Sequence, residues 1–468
     1  MDNGKRPMRI GIVGWGVEGQ SAYHFFGPSH EYLIVNEHPR DDFPRQSGKI
    51  KVRYIPKDRQ PGLTGNVKDL SYLEGIEDCD KIIYSVTSQP NLKKFFGDDK
   101  AFWDKATTVL HVFFENVKSK NIIGVTGTKG KGTTATLIAK LLEAALRQDS
   151  GSAKGQKVYL AGNIGRSVLD FVREIKPGDW VVLELSNFQL KDFPYSPHVA
   201  VCLMLMEEHM EWHKDMAGYL DAKSNIFKHQ GKEDVAVYYG LDANCKKLAG
   251  YSKGKKVPYF KKPGAYVRED GMIVVGKPQI EVITKTEVKL VGEHNLQNIC
   301  AALTTAYESI GGLDKARAVL SSFIGLEHRL ELVRTFEGVK YYDDSFATTP
   351  HSSIVALRAF EEPKIVILGG HDKGLDYSPL SKEIAGSDVR HVIAVGMLAD
   401  KLAKMLRDKG FTDITLGLAK MPDMVDAARS HARPGDVVLL STGTSSFGLF
   451  KDYKDRGIQF KQAVQALR

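Results

Sequence analysis

Short runs of Val, Ile and Leu alternate with amphipathic stretches along most of the chain. The first run, residues 8–13, predicts a strand, followed by a glycine-rich turn and a helix from about residue 20. Strands are also predicted over 32–36 and 81–85, and Lys118-Ser119-Lys120 reads as a short polar linker. A second region opens with a strand over 121–125, a loop of Gly, Lys and Thr, and a helix over 133–146. Strands at 158–160, 180–185 and 199–205 and helices at 219–229 and 295–310 complete it. A third region, from about residue 326, has strands at 339–342, 364–368, 389–395 and 436–441 with helices between them. Strand–helix alternation of this kind predicts the α/β class. At 468 residues the chain exceeds what one core can organise. Three domains are expected, bounded at 1–118, 119–325 and 326–468.

Composition narrows the class. Hydrophobic residues make up 42% and charged residues 26%, which excludes disordered, collagen-like and disulfide-stapled chains. The longest apolar run, 199–206, is far short of the ~20 residues that span a bilayer. Met1-Asp2-Asn3-Gly4-Lys5-Arg6 leads straight into a strand with no secretory apolar segment, so a cytoplasmic protein is expected. Four cysteines without CxxC spacing read as reduced thiols. The net charge of +8 fits nucleic acid, a membrane surface, small anionic substrates or plain solvated surface. The basic residues are dispersed and interleaved with acids, which argues against nucleic acid as a partner, and no membrane partner is expected.

Two glycine motifs carry the chemistry. Gly14-Trp15-Gly16-Val17-Glu18-Gly19 sits between strand and helix, with Glu37 after the next strand. That arrangement suits a nicotinamide dinucleotide, the UDP of a nucleotide sugar, or a purely structural turn. Thr126-Gly127-Thr128-Lys129-Gly130-Lys131-Gly132-Thr133-Thr134 has the form of a phosphate loop. Its backbone N–H groups would cradle phosphates and Lys131 would reach the β/γ-phosphates. Gly132 stands where Ser or Thr is usual, so Thr133 or Thr134 would supply the hydroxyl for Mg²⁺. Both motifs in one chain argue against a simple dehydrogenase. Glu184, at a strand end facing the loop, offers oxygen to Mg²⁺ or is a surface carboxylate. His209-Met210-Glu211-Trp212-His213 lacks the HExxH order of a zinc site.

The loop and its followers resemble the Mur ligases; the loop alone is also similar to that of the folylpolyglutamate synthetases. The resemblance continues through Gly162-Asn163-Ile164-Gly165, Glu184-Leu185-Ser186-Asn187-Phe188-Gln189-Leu190, Glu208-His209-Met210-Glu211 and Lys223. It then takes in Gly292-Glu293-His294-Asn295-Leu296-Gln297-Asn298, His328-Arg329, Asp343-Asp344-Ser345 and Gly369-Gly370-His371-Asp372-Lys373-Gly374. The branch most resembled adds glutamate, D-glutamate favoured, to UDP-N-acetylmuramoyl-L-alanine through an acyl phosphate.

The resemblance implies a Rossmann-like N-terminal domain, a central P-loop ATPase domain with a parallel sheet, and a Rossmann-like C-terminal domain. It places ATP on Gly127 to Thr134, Asn295, Asn298, Arg329 and Asp344. It implies two Mg²⁺ ions held through Thr133, Glu184, His209 and Lys223, the last carbamylated by CO₂. Lys131, Glu184, His209 and Lys223 form the implied catalytic set. Gly14, Trp15, Gly16, Val17, Glu37 and Ser85 would hold the UDP precursor, with Asn163, Ser186 and Gln189 nearby. Thr348, Lys373, Ser446, Phe447 and Tyr453 would hold glutamate, helped by a helix beginning directly after 441–447. A monomer that closes over ATP is expected.

Two departures stand out. Phe346 occupies a position where the family often has lysine, and Ser85-Val86-Thr87-Ser88 replaces a frequent Ser-Pro-Gly. The first keeps an L-glutamate-adding relative as an alternative, beside a folylpolyglutamate synthetase or a nicotinamide-dependent oxidoreductase.

Overall fold

The computed structural model describes residues 6–55, 69–147, 155–206, 215–290, 292–372 and 374–468. It separates into two compact units. The first comprises Met1–Val282 and Asn298–Ala316, and the second Ile283–Gln297 and Arg317–Arg468.

The first unit contains two parallel sheets. One joins β1 (Arg9–Val13), β2 (Glu31–Asn36), β3 (Ile50–Tyr54), β4 (Lys81–Tyr84) and β5 (Ala106–Thr107) in the order 3-2-1-4-5. The other joins β6 (Ile122–Thr126), β7 (Val158–Gly162), β8 (Trp180–Glu184), β9 (Val199–Cys202), β10 (Val235–Tyr239) and β11 (Lys255–Tyr259) in the order 11-10-9-6-8-7. Strands β6, β8 and β9 are buried along their whole length. They therefore read as continuous apolar runs, as strands covered on both faces do. A small sheet of β12 (Tyr266–Val267), β13 (Met272–Val275) and β14 (Ile280–Thr284) follows, with β12 and β13 antiparallel.

The second unit is built on one sheet: β15 (Glu331–Phe336), β16 (Val339–Asp343), β17 (Lys364–Gly369), β18 (Val389–Val395), β19 (Ile414–Thr415) and β20 (Val437–Leu440), in the order 15-16-20-17-18-19. Only the β15–β16 pair is antiparallel among its described pairs. In open parallel sheets, ligands bind beyond the carboxyl ends of the strands. Gly14, Ser85, Gly127, Glu184, Asp344 and Ser441 all follow or end such strands.

Several elements differ from the sequence expectation. The first helix starts at Val17, directly after Gly16. Strand β9 stops at Cys202, because the amide of Thr128 takes up the Met204 carbonyl at 3.0 Å and turns the chain onto the phosphate loop. Strand β11 opens with two lysines and contains Pro258, a composition suited only to a sheet edge. The last helix is Tyr453–Gln465, capped by Asp452, so residues 441–452 form a loop and no helix begins directly after 447. All four cysteines are free and buried.

Candidate active site

The N-terminal glycine turn is tied down by its neighbours. The Gly14 amide donates to Val35 O at 2.8 Å, and the Trp15 amide to Asn36 Oδ1 at 2.7 Å. A Cβ at Gly19 would collide with the Gly14 carbonyl, so the tight turn into helix Val17–Phe26 needs glycine there. Ser85, at the end of β4, packs against Gly14 and pairs its hydroxyl with Thr87 Oγ1 at 3.0 Å. Gly16 and Val17 are exposed at the helix start, whose N–H groups attract anions. Asn36, the residue before Glu37, accepts the hydrogen bond from the turn; nothing in the glycine motif itself singles it out.

The turn reaches the central sheet through Glu18. Burial raises its carboxyl above the usual range, and Gln189 hydrogen-bonds to it. Ser186 and Gln189 form a capping box around the short helix Asn187–Leu190: Ser186 Oγ accepts from the Gln189 amide at 3.2 Å, and Gln189 Oε1 from the Ser186 amide at 3.1 Å. Both side chains thus fix the turn after Glu184.

The phosphate loop joins β6 to helix Lys131–Leu146. Gly130 has φ +84°, and a Cβ there would collide with Asn298 Oδ1. The same oxygen accepts from Thr134 Oγ1 at 3.3 Å. Lys131 curls over its own loop, donating to Gly127 O at 3.1 Å and Thr128 O at 2.9 Å. Thr128 Oγ1 lies 2.9 Å from the Tyr219 hydroxyl and accepts from the Met206 amide at 2.9 Å.

Two buried ionisable groups flank this loop. Lys223, on helix Met216–Lys228 and 1% exposed, donates to Thr126 Oγ1 at 3.2 Å and Gly127 O at 2.9 Å. Its ammonium also lies 4.7 Å from the Tyr219 ring centroid. Glu184 is 3% exposed; its Oε1 accepts from Asn163 Nδ2 at 3.2 Å. Glu184 Oε2 is buried with no hydrogen-bond partner among the described residues. An orphaned anionic oxygen is costly unless something positive meets it, so the donor set fits a hard cation such as Mg²⁺. His209 lies outside the described residues, as does Lys373.

In the second unit, Asp344 follows β16 and is buried. Its Oδ2 accepts from Ser441 Oγ at 2.8 Å and its Oδ1 from the Leu330 amide at 3.3 Å. Burial pushes its carboxyl up to about 7, against the lowering effect of these bonds. Asp343, one residue earlier, holds His328 Nδ1 at 2.7 Å and the Ser345 amide at 2.9 Å. A Cβ at Gly457 would collide with that His328 ring. Arg329 stacks its guanidinium 3.8 Å from the Phe346 ring centroid. Tyr453 meets Phe346 edge-to-face at 5.1 Å, and Ser345 Oγ donates to Tyr453 O at 2.7 Å.

Buried Arg456 donates to Ser345 Oγ at 2.8 Å and Ser345 O at 2.7 Å. Burial lowers its guanidinium to about 10. Sequence reasoning missed Arg456 and quoted Asp343 without giving it a role; their nearness to Tyr453 and Asp344 was the available signal. Ser446 is buried, Phe447 is 60% exposed, and Thr348 is half-buried beside Thr349, which caps helix Pro350–Leu357. Asn295, buried in the first turns of helix Glu293–Ile310, donates its amide to Gly292 O at 3.0 Å.

Comparison with known proteins settles the family. The profile described as "Mur ligase middle domain" matches residues 125–306, and "Mur ligase, glutamate ligase domain" matches 328–443. The UDP-N-acetylmuramoylalanine–D-glutamate ligase of Acetivibrio thermocellus is 36% identical, with 78% of each chain covered. The chain belongs to the Mur ligases. The Clostridium novyi protein of the same name is 30% identical across 99% of this chain and 97% of its own. Among solved structures, MurF ligase from Thermotoga maritima in complex with ADP superposes with a TM-score of 0.57 at 17% identity, over 99% of this chain and 96% of that one. At that identity the likeness shows a shared Mur ligase fold of several parallel-sheet α/β domains. The two Mur ligase profiles begin in β6 and at His328, and together they hold the phosphate loop, Glu184, Lys223, Arg329 and Asp344.

Proposed function

We propose that this Mur ligase joins D-glutamate to the carboxylate of UDP-N-acetylmuramoyl-L-alanine, converting ATP to ADP and phosphate. The observation that carries the reading is the buried grouping of Glu184 and Lys223 around the phosphate loop, in a chain similar to named D-glutamate ligases. Phosphorylation of the carboxylate supplies a leaving group, and the glutamate amine then displaces phosphate.

Each group has a part. Lys131 leaves its two loop carbonyls for the β/γ-phosphates, aided by the N–H groups of Gly127, Lys129, Gly130 and Gly132, while the Thr128 amide stays on Met204 O and fixes the loop. Thr134 is engaged with Asn298, so Thr133 is the loop hydroxyl that suits a cation. Thr133, Glu184, His209 and a carbamylated Lys223 would hold two Mg²⁺, whose charge neutralises the transferring phosphoryl group. A carbamate keeps one N–H on Lys223, which would retain one of its two bonds to the loop. Asn295, Asn298, Arg329 and Asp344 hold the adenine nucleotide.

Residues 1–118, with Gly14, Trp15, Gly16, Val17, Glu37 and Ser85, bind the UDP precursor in this reading. Residues 119–325 bind ATP, and residues 326–468 bind glutamate through Thr348, Lys373, Ser446, Phe447 and Tyr453. Asn163, Ser186 and Gln189 line the approach of the acceptor carboxylate. The protein acts as a cytoplasmic monomer; no described helix is long and apolar enough to cross a membrane.

The test is ATP-dependent phosphate release with UDP-N-acetylmuramoyl-L-alanine and either D- or L-glutamate. Release with the D form supports the reading. Preference for the L form, or no release with either, overturns it.

A further inference from the structure

Arg329 is gripped at its backbone from both sides. His328, before it, sits at φ +63°, a left-handed conformation that a non-glycine residue adopts only when held there. The holding groups are Asp343 Oδ2 on its ring at 2.7 Å, Glu331 Oε2 on its amide at 2.9 Å, and the Phe346 amide on its carbonyl at 3.0 Å. Leu330, after it, is also at positive φ and donates its amide to Asp344 Oδ1. Two adjacent aspartates thus fix the residues on either side of one arginine.

The guanidinium itself lies over the face of Phe346, 3.8 Å from the ring centroid. Phe346 is in turn braced edge-on by Tyr453 at 5.1 Å, and Tyr453 by the Ser345 hydroxyl. The ring is 40% exposed, so it sits at the surface, where one face can carry a cation. A lysine at this position would repel the guanidinium, whereas an aromatic face attracts it.

We propose that Phe346 is a positioning residue for the nucleotide: its ring holds the Arg329 guanidinium in the orientation that meets a phosphate. The inference rests on the reading of Arg329 as an ATP contact. It makes the departure at 346 a matter of ATP affinity, not of which glutamate is chosen. A planar guanidinium presents its fork well only when its plane is set, and stacking sets that plane.

The experiment measures ADP binding by calorimetry on the full chain, with Michaelis constants for ATP and glutamate. Phe346→Leu removes the ring face and keeps an apolar side chain; Phe346→Tyr keeps the face. The leucine variant should bind ADP about three- to five-fold more weakly, the size of an exposed cation–π contact. Its thermal midpoint and glutamate constant should be unchanged, and the tyrosine variant should bind as the parent does. Arg329→Ala separates the two ideas. If it leaves ADP affinity unchanged, the nucleotide role of Arg329 fails. If Arg329→Ala weakens ADP but Phe346→Leu does not, or if Phe346→Leu still weakens ADP in the Arg329→Ala background, the positioning role is overturned. A leucine variant altered only toward glutamate overturns it too.

Discussion

Lys223 Nζ lies 2.9 Å from the carbonyl oxygen of Gly127, the first glycine of the phosphate loop. The lysine is buried, so its two acceptors would face a void without it. Lys223→Ala should therefore lose about 1 kcal/mol of stability for each lost hydrogen bond, since Gly127 O keeps its bond from Lys131 and Thr126 Oγ1 its bond to Leu185 O. Turnover should fall to near zero and return in part with acetate or formate, which restore an anionic oxygen. Full turnover without added carboxylate would refute the carbamate role.

Glu184→Gln separates stability from activity. The substitution keeps the shape and the acceptor for Asn163 but removes charge from a buried oxygen that has no described partner. The variant should unfold at the same or higher temperature, because an unpaired buried charge is costly. Phosphate release should drop at least about 100-fold, since a cation ligand contributes several kcal/mol to the transition state. A clear fall in thermal midpoint would count against the orphaned-oxygen argument.

Asp344 gives a pH signature. Its native carboxyl is raised to about 7 from an ordinary 3.8. Between those values the folded state holds a proton that the unfolded state has released. Stability therefore falls as pH rises from about 4 to about 7, by at most about 1.4 kcal/mol per unit. Asp344→Asn should remove that slope. Melting curves at pH 5 and 7 for both proteins decide the matter; parallel shifts would sink it.

Gly130→Ala should abolish ATP binding. The position has φ +84°, and the added methyl would strike Asn298 Oδ1, the acceptor for Thr134. Calorimetry with ADP would show little or no heat, while binding of the UDP precursor should persist. Normal ADP affinity would mean that the loop and helix Glu293–Ile310 part easily.

Much of this was legible in sequence because the decisive strands are buried over most of their length. Strands β1, β6, β8 and β18 read as apolar runs, and the phosphate loop announced itself by composition and context. Edge strands were not legible: β3 is mostly exposed and β15 half-exposed, so neither carries a strong pattern. At the site, Lys131, Glu184 and Lys223 stood out as charges at strand ends or in motifs. Asn36 and Arg456 did not, because their roles depend on backbone groups distant in sequence. Phe346 was visible as an oddity, but only the stacking of Arg329 gave it a purpose.

Gly457 lies inside helix Tyr453–Gln465, where glycine costs about 1 kcal/mol relative to alanine. The vacancy beside its α-carbon is filled by the His328 imidazole. The last helix thus gives up intrinsic helicity to admit a side chain from well over 100 positions earlier. A methyl at 457 therefore demands a smaller group at 328 and a shift of Asp343, whereas a smaller group at 328 demands nothing of 457.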